Sequence, residues 1–532
     1  MSKDEIVVGT RGSTLALKQT SIVTDLLQQK NIKYRIKIIK TTGDRIKERF
    51  SEIGARGVFT KELEEALLNR TIDMAIHSLK DLETTIADGT EIVGVIPSGP
   101  QYDVFIVKKD KYSPHFLLPV IKNGKIGTSS IRREALINFY RKDLKVLPLR
   151  GNIMTRINKL MKSDEYDAII LSASALSLLD INRIDGANIF NLQPEYFVPQ
   201  VGQSHIAIQV RKEDYAFFKE ILDIDMPEYI ALERKMLKLW GGGCSTPATF
   251  KLKITPESIE LFFMVKQDIL MIKGNTTLEG RSDFSILPSF VVNRLRISFP
   301  LPFSVFITDD EPLRYDFFDK FKALFKCVEC FPIIKHVAVA HSLNPRILRN
   351  EFVLITSKTT LNHVSQDILR SCKIVTTSRT VCLKLEEKGI VPVWFPSKDM
   401  PVKVLWLKLL EFLRENDCKR IYHIGARETT PNLNIISNHC EVIKIPVYET
   451  VACIPQHLQR KLSGFDIVGF TSPSSVRAFI ENGGDISKVH SVAIGETTLT
   501  ALNKEDGCFS PLPSIPALME KIVGCAIFHV NP

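Results

Sequence analysis

The sequence predicts an α/β protein of several layered domains, and three observations carry that expectation. Strand-like apolar stretches alternate with amphipathic helical ones through most of the chain, the order that layers helices against sheets. The 532 residues leave room for about three to five domains. A composition of 44% hydrophobic and 24% charged residues is that of an ordinary globular protein, which excludes bulk disorder, and 27 Gly with 27 Pro exclude a fibrous chain.

From the N-terminus, Ile6–Gly9 reads as a buried strand and Thr10-Arg11-Gly12-Ser13 as a turn. Ser13 is the N-cap of an amphipathic helix from about Thr14 to Gln29. Tyr34–Lys40 alternates as a strand, Phe59–Asn69 carries apolar residues at helical spacing, and Asp73–His77 and Glu91–Ile96 are strands. A second α/β unit runs from about Asp103 to Gln193, with strands near Phe105–Val107, Lys125–Gly127, Lys145–Leu147 and Ala168–Leu171. Its helices begin after Ser129-Ser130 and after Gly151-Asn152, and residues 197–212 return to an apolar strand and helix start. Strand-like stretches follow the break at Gly241-Gly242-Gly243, so Glu233 to about Arg296 reads as a small α+β domain. Residues 298–315, with Phe299-Pro300-Leu301-Pro302, read as a linker. The α/β alternation then restarts, with strands at Ser304–Ile307, Phe352–Ile355, Lys373–Thr376, Arg420–His423, Val442–Ile445, Ile467–Phe470 and Ser491–Ile494. Thr356-Ser357 and Thr471-Ser472 each follow a buried strand, where α/β sites form.

Charge and cysteine usage narrow the function classes. Lys plus Arg is 70 against 60 for Asp plus Glu, and the net +10 is compatible with anionic ligands. No block of five or six like charges occurs, so no nucleic-acid partner is expected. No apolar run approaches the roughly 18 residues of a membrane span, so no membrane partner is expected. Met-Ser-Lys-Asp-Glu runs straight into the strand at Ile6, unlike a signal peptide, and the expected compartment is the cytoplasm. Cys244 is the only cysteine before Cys327; the others read as reduced thiols scattered through the core. Cys327 and Cys330 form a lone CxxC without the second pair a zinc site needs, so no metal is expected.

Basic residues recur at one kind of place. Arg11 sits at a strand-to-helix turn, Lys80 follows a strand, Arg132 and Arg133 open a helix, and Arg150 and Arg156 flank the start of another. Helix N-termini bind anions through free amides and the dipole, and Arg grips carboxylate or phosphate as a fork. Any one of these could be a solvated surface residue; together they point to a polyanion. Asp81, in His77-Ser78-Leu79-Lys80-Asp81, is either a helix N-cap or a carboxylate that steadies a developing cation among arginines. His77 reads as a hydrogen-bonded structural histidine. Cys244 follows three glycines, which suits a covalent attachment point as well as a small buried turn residue. No Walker loop, GxGxxG or HExxH occurs.

The stretches Gly9–Ser13, Thr41-Thr42-Gly43-Asp44, Phe59–Glu64, His77–Asp81, Gly127–Arg133, Leu149–Asn152 and Gly243-Cys244 closely resemble, in order, those of hydroxymethylbilane synthase, also called porphobilinogen deaminase. From about residue 300, Val447-Tyr448-Glu449-Thr450, Phe470-Thr471-Ser472-Pro473 and Ile494–Thr498 resemble uroporphyrinogen-III synthase. The resemblance implies two periplasmic-binding-protein-like lobes plus a small α+β domain, followed by a two-lobed α/β synthase module. The implied boundaries are 1–98 completed by 197–216, then 99–196, 217–297 with the cofactor loop, and 298–532, the last with lobes at about 298–335 plus 450–532 and about 336–449. The implied function is bifunctional tetrapyrrole (heme) biosynthesis: four porphobilinogens condense with loss of ammonia, and the hydroxymethylbilane is cyclised with the last ring inverted. The implied cofactor is a dipyrromethane attached to Cys244, and the implied ligands are small polycarboxylate pyrroles bound by a monomer. By the same matching Asp81 is catalytic, Lys80, Ser129, Arg132 and Arg133 hold the cofactor, and Arg11, Ser13, Arg150 and Arg156 hold substrate. In the second half Tyr448 assists departure of the terminal hydroxyl, and Thr356, Ser357, Thr471, Ser472, Thr497 and Thr498 bind propionates.

Two positions depart from the deaminase pattern. Ser177-Leu178-Leu179 stands where the family usually has an arginine, and Gly202-Gln203-Ser204-His205 replaces the common Gly-Gln-Gly-Ala. Neither touches Asp81 or Cys244. The alternative readings are a deaminase with a non-catalytic C-terminal scaffold, and an anion-binding protein built like a periplasmic receptor, in which Cys244 has no role.

Overall fold

The computed structural model describes residues 5–42, 57, 59–113, 118–243, 246–255, 258–267, 270–279, 287–296, 300–309, 318–341, 343–395, 402–428, 431–459, 461–503, 508–510 and 514–529. Gly43, Asp44 and Cys244 lie outside the described residues. The architecture is mixed α/β. β1 (Ile6–Thr10), β2 (Tyr34–Ile38), β3 (Met74–Ser78) and β4 (Thr90–Pro97) open a first sheet. The chain crosses to a second, β5 (Asp103–Lys108), β6 (Lys125–Gly127), β7 (Lys145–Leu147), β8 (Ala168–Ser172) and β9 (Ala187–Leu192), and returns as β10 (His205–Arg211). The orders are β2-β1-β3-β10-β4 and β7-β6-β8-β5-β9, and β10 enters antiparallel to both its neighbours. β8 and β10 are buried along their whole length, which is why β8 reads as an apolar run, while β10 buries His205, Gln209 and Arg211 among its apolar residues.

Local sequence signals placed the helix starts. Ser13 Oγ accepts from Ala16 N at 3.2 Å and caps the helix Thr14–Gln29. Ser130 and Asn152 cap Ile131–Tyr140 and Ile153–Lys162 in the same way. The third sheet is an antiparallel meander of β11 (Thr249–Ile254), β12 (Ser258–Gln267) and β13 (Leu270–Glu279).

The rest of the chain repeats the out-and-back path. β14 (Leu301–Ile307) and β15 (Phe325–Cys330) start a fourth sheet. β16 (Ile334–Ala338), β17 (Phe352–Leu354), β18 (Lys373–Val375), β19 (Arg420–Ala426) and β20 (Glu441–Ala452) form a fifth, and β21 (Ile467–Phe470), β22 (His490–Ala493) and β23 (Cys508–Phe509) return to the fourth. The fourth sheet is parallel throughout in the order β15-β14-β21-β22-β23; in the fifth, β16-β20-β19-β17-β18, only β16 is antiparallel.

The strand read at Ser304–Ile307 is present, and it begins earlier, at Leu301, inside what read as a linker: β14 is an interior strand whose Leu301, Phe303, Val305 and Ile307 are buried. Prolines disguised only its first residues. Pro302 falls in a register irregularity between Leu301 and Ser304, a place where a missing amide is tolerated. The two halves are joined by more than this strand. One apolar cluster runs from Phe105 and Ile170 in the second sheet, through Phe250, Phe263 and Ile272 in the third, to Val305 and Ile467 in the fourth. The helix Ile515–Phe528, to which the sequence reading gave no element, is buried from end to end in that cluster. Within it Glu520 pairs with Lys273 of β13 and accepts from the Tyr140 hydroxyl. Lys521 Nζ donates to Thr277 Oγ1 at 3.0 Å. Gly524 lies against the Asn275 carbonyl, so close that no Cβ could be added.

Candidate functional site

The end of β3 is the meeting point of the first two sheets. Leu79–Asp81 forms one 3-10 turn and Leu82 is extended, so Asp81 has no helix to cap and that alternative reading falls. Gly202, at φ +75°, sits on Leu79, and Gln200 Nε2 donates to the Lys80 carbonyl at 3.0 Å. Ser204 takes φ +65° where the common pattern has glycine; its hydroxyl donates to the Pro100 carbonyl, a local offset to the left-handed strain. Behind this turn lies Asp103, fully buried at the start of β5. Arg132 Nη2 reaches Asp103 Oδ2 at 2.6 Å and Arg133 Nη2 reaches Oδ1 at 2.8 Å. Arg132 Nη1 also donates to the Val198 carbonyl, Arg133 Nη1 to the Ile170 carbonyl, and Gln203 Nε2 to Asp103. Burial disfavours the Asp103 carboxylate, yet the two guanidiniums override it and hold the group well below the usual range.

In front of this clamp the charges crowd. Burial, with Arg133 and Arg132 adding to it against Asp81 and Asp103, brings Lys80 down to about 8. Arg156 falls to about 10 through burial and the charges of Arg133 and Arg150, opposed by Asp81. Asp81 is thus the carboxylate felt by both Lys80 and Arg156. Arg156 Nε donates to the Gly151 carbonyl at 2.7 Å. Ser129 Oγ ties the second-sheet turns together, bonding Leu149 O at 3.0 Å and Leu149 N at 3.1 Å. On the first sheet Arg11 lies over the Phe59 ring at 4.2 Å, and its charge adds to the burial that lowers His77 to about 4.

The glycine loop comes to the same place. Thr84 Oγ1 donates to the Gly242 carbonyl at 3.1 Å, and Arg234 holds the Leu82 and Glu83 carbonyls at 3.2 and 2.7 Å. Gly243 abuts the Glu83 carboxylate, so a side chain at this position would have to push the Glu83 carboxylate aside. Gly243 N donates to Thr246 Oγ1 at 3.2 Å and Gly243 O accepts from Thr246 N at 3.1 Å, pinning the loop on both sides of residues 244 and 245.

In the second half Tyr448, only 4% exposed, lies between two imidazoles, His336 edge-on at 5.0 Å and His363 stacked at 5.5 Å. Thr356 Oγ1 bonds His423 Nε2 at 3.3 Å at the adjoining strand ends, where burial and Lys444 lower His423 to about 4. Ser357 and Ser472 are both N-caps, and Thr471 N donates to Thr308 Oγ1 at 3.1 Å. Thr498 is buried, which leaves Thr497 as the accessible hydroxyl of that pair. The helix Pro473–Glu481 lies against β16 and β20, and its Arg477 reaches Glu428 at 2.5 Å. The Thr471-Ser472 turn and Tyr448 therefore flank one junction between the fourth and fifth sheets.

The family model described as porphobilinogen deaminase, dipyromethane cofactor binding domain, matches residues 6–219, and that of uroporphyrinogen-III synthase HemD matches residues 319–510. The porphobilinogen deaminase of Clostridium novyi is 39% identical over 264 residues, 48% of this chain and 86% of that protein. That of Bacillus subtilis is 39% identical over 248 residues, 46% of this chain and 77% of its own. The chain belongs to the porphobilinogen deaminase family. A uroporphyrinogen-III synthase domain follows in the same chain, so one protein carries both activities of heme biosynthesis. Among solved structures, uroporphyrinogen-III synthetase from Helicobacter pylori covers 41% of this chain and 96% of its own at 17% identity, with a TM-score of 0.30.

The dipyrromethane that the deaminase family carries is a polycarboxylate. The donor set suits it: Lys80 and Arg156 are depressed by burial and by other cations, which carboxylates would relieve. The sequence reading missed Asp103, Glu83, His336, His363 and His423. Only Asp103 left a local trace, a lone acid opening an otherwise apolar strand. Among the described residues no helix is long and apolar enough to cross a membrane.

Proposed function

We propose that the deaminase half does its chemistry at the end of β3 and that Cys244 carries the cofactor there. The observation behind this is the seating of Gly242 and Gly243 on Thr84 and Glu83, beside the turn that ends in Asp81. When bound, the dipyrromethane supplies the pyrrole that accepts the first substrate. Asp81 accepts hydrogen bonds from pyrrole N–H groups and offsets the positive charge that grows on the substrate as ammonia leaves. Lys80, Arg150 and Arg156, with Arg11 across the cleft, hold acetate and propionate groups. Ser13 and Ser129 are engaged in their own turns and serve by orienting backbone amides. Arg132 and Arg133, locked to Asp103, set the positive potential of the cofactor wall and lower Lys80 through their charges.

The sheets support dividing the chain at about 1–98 with 197–216, 99–196, 217–297 and 298–532, the last with lobes at about 298–335 plus 450–532 and about 336–449, where β16 and β20 carry the second lobe out to Ile334 and Ala452. We assign ring closure to the junction of those lobes. Tyr448 assists loss of the terminal hydroxyl, and Thr356, Ser357, Thr471, Ser472 and Thr497 bind propionates through hydroxyls and helix-start amides. The protein acts as a monomer in the cytoplasm. Intact-mass spectrometry tests the deaminase assignment. Cys244→Ser should fold, lack the dipyrromethane mass and lose porphobilinogen consumption; an adduct that survives the substitution would refute the attachment point.

A further inference from the structure

Three donors that neither site uses meet under the fourth sheet. His490 opens β22, Cys508 opens β23, and Cys525 lies on the helix Ile515–Phe528. In the parallel ladder Cys508 stands opposite Val492, two residues after His490, so His490 and Cys508 share one sheet face. Val492 packs in the same cluster as Cys525, so that face is the one the helix covers. One imidazole nitrogen and the two sulfurs lie within 4.8 Å of one another. Neither sulfur is in a disulfide. His490 Nε2 is buried without a hydrogen-bond partner, a cost that a ligand would remove. The sequence reading expected scattered thiols and no metal; the strand order brings together residues that the sequence keeps apart.

We propose that His490, Cys508 and Cys525 bind a zinc-type divalent ion that fastens the C-terminal helix to the edge of the fourth sheet. Tetrahedral zinc, with bonds of about 2.3 Å to sulfur and 2.0 Å to nitrogen, sets its donors about 3.5–3.8 Å apart, so side-chain movements of about 1 Å close the site. Two sulfurs and an imidazole select such an ion over calcium or magnesium, which take oxygen ligands. Binding releases the thiol protons to solvent, and the two thiolates neutralise the dication inside the core. The ion would act on the junction between the halves, because the same helix carries Glu520.

The full-length protein, purified without chelator, should contain about one equivalent of zinc held by the two thiolates and the imidazole. After zinc is stripped, added cobalt(II) should give a thiolate-to-cobalt charge-transfer band. Cys508→Ser and His490→Ala should each lower metal affinity at least about tenfold, while Cys327→Ser, on the distant β15, should leave it unchanged. Absence of both stoichiometric zinc and the cobalt band in the parent protein would overturn the proposal. So would a band that survives both variants, or a Cys508–Cys525 disulfide in metal-free protein.

Discussion

Replacing Glu520 by Ala would strand Lys273 in the core shared by the two halves. The Lys273 side chain is 0% exposed and that of Glu520 3%. Without the carboxylate, Lys273 keeps the Glu195 carbonyl at 3.3 Å, the face of the Tyr140 ring at 5.4 Å and only the weaker pull of the Glu195 charge. Burial already pushes the lysine down, and Glu520, with a smaller share from the Glu195 charge, holds its proton on. Giving up the proton of a lysine that ordinarily titrates at 10.5 costs about 5 kcal/mol at pH 7 and about 2 kcal/mol at pH 9. The first figure sits at the upper end of the roughly 3–5 kcal/mol measured for breaking buried pairs. The sign follows from linkage. Between those pH values the unfolded variant binds the proton and the folded one does not, so its deficit shrinks as pH rises. Lys273→Met has the opposite slope, because Glu520 must then take up a proton that the unfolded chain has released; its deficit, about 3 kcal/mol at pH 7, grows with pH. Lys273→Met with Glu520→Leu should be close to the parent and flat with pH. Urea unfolding of full-length variants at both pH values measures all three. A chain ended near Arg296 would bare this face of β13, so the full length is needed. Single variants that each lose less than about 1 kcal/mol, or that lose the same at both pH values, would refute the buried-pair account.

Asp81→Asn should keep the fold and any attached cofactor but lose at least roughly 10²-fold in turnover, the scale of one lost electrostatic stabiliser; near-normal turnover would leave Asp81 a turn residue only. Tyr448→Phe should leave porphobilinogen consumption intact and lower the fraction of type III uroporphyrinogen, measured by chromatography of the oxidised isomers. An unchanged isomer ratio would mean that Tyr448 merely packs between His336 and His363. His77 titrates near 4 in the fold, through burial, against 6.5 unfolded, so its contribution is lost as pH falls from 6.5 toward 4. By pH 5 that is about 2 kcal/mol, and His77→Gln should show a visibly smaller drop in melting temperature between pH 7 and 5 than the parent.

Much of this protein was legible in contiguous residues. The α/β alternation, the buried strands β8 and β10, and the caps at Ser13, Ser130 and Asn152 follow from short-range periodicity and from side chains that bond amides three residues away. The deaminase motifs, each only a few residues long, were legible for the same reason. What only the tertiary structure decided depends on strand order and on burial. The sequence shows two arginines at a helix start; the fold buries both against Asp103, about thirty residues upstream, because β5 lies beside β8. Prolines hid the start of β14 in a linker reading of 298–315 although Ser304–Ile307 read as a strand, and pairing with β15 extends that strand back to Leu301. Gly242 on Thr84, Glu520 on Lys273, and His490 with Cys508 and Cys525 unite residues up to about 250 positions apart. No local propensity encodes such meetings: they exist only once the sheets have stacked and water has been driven from between them.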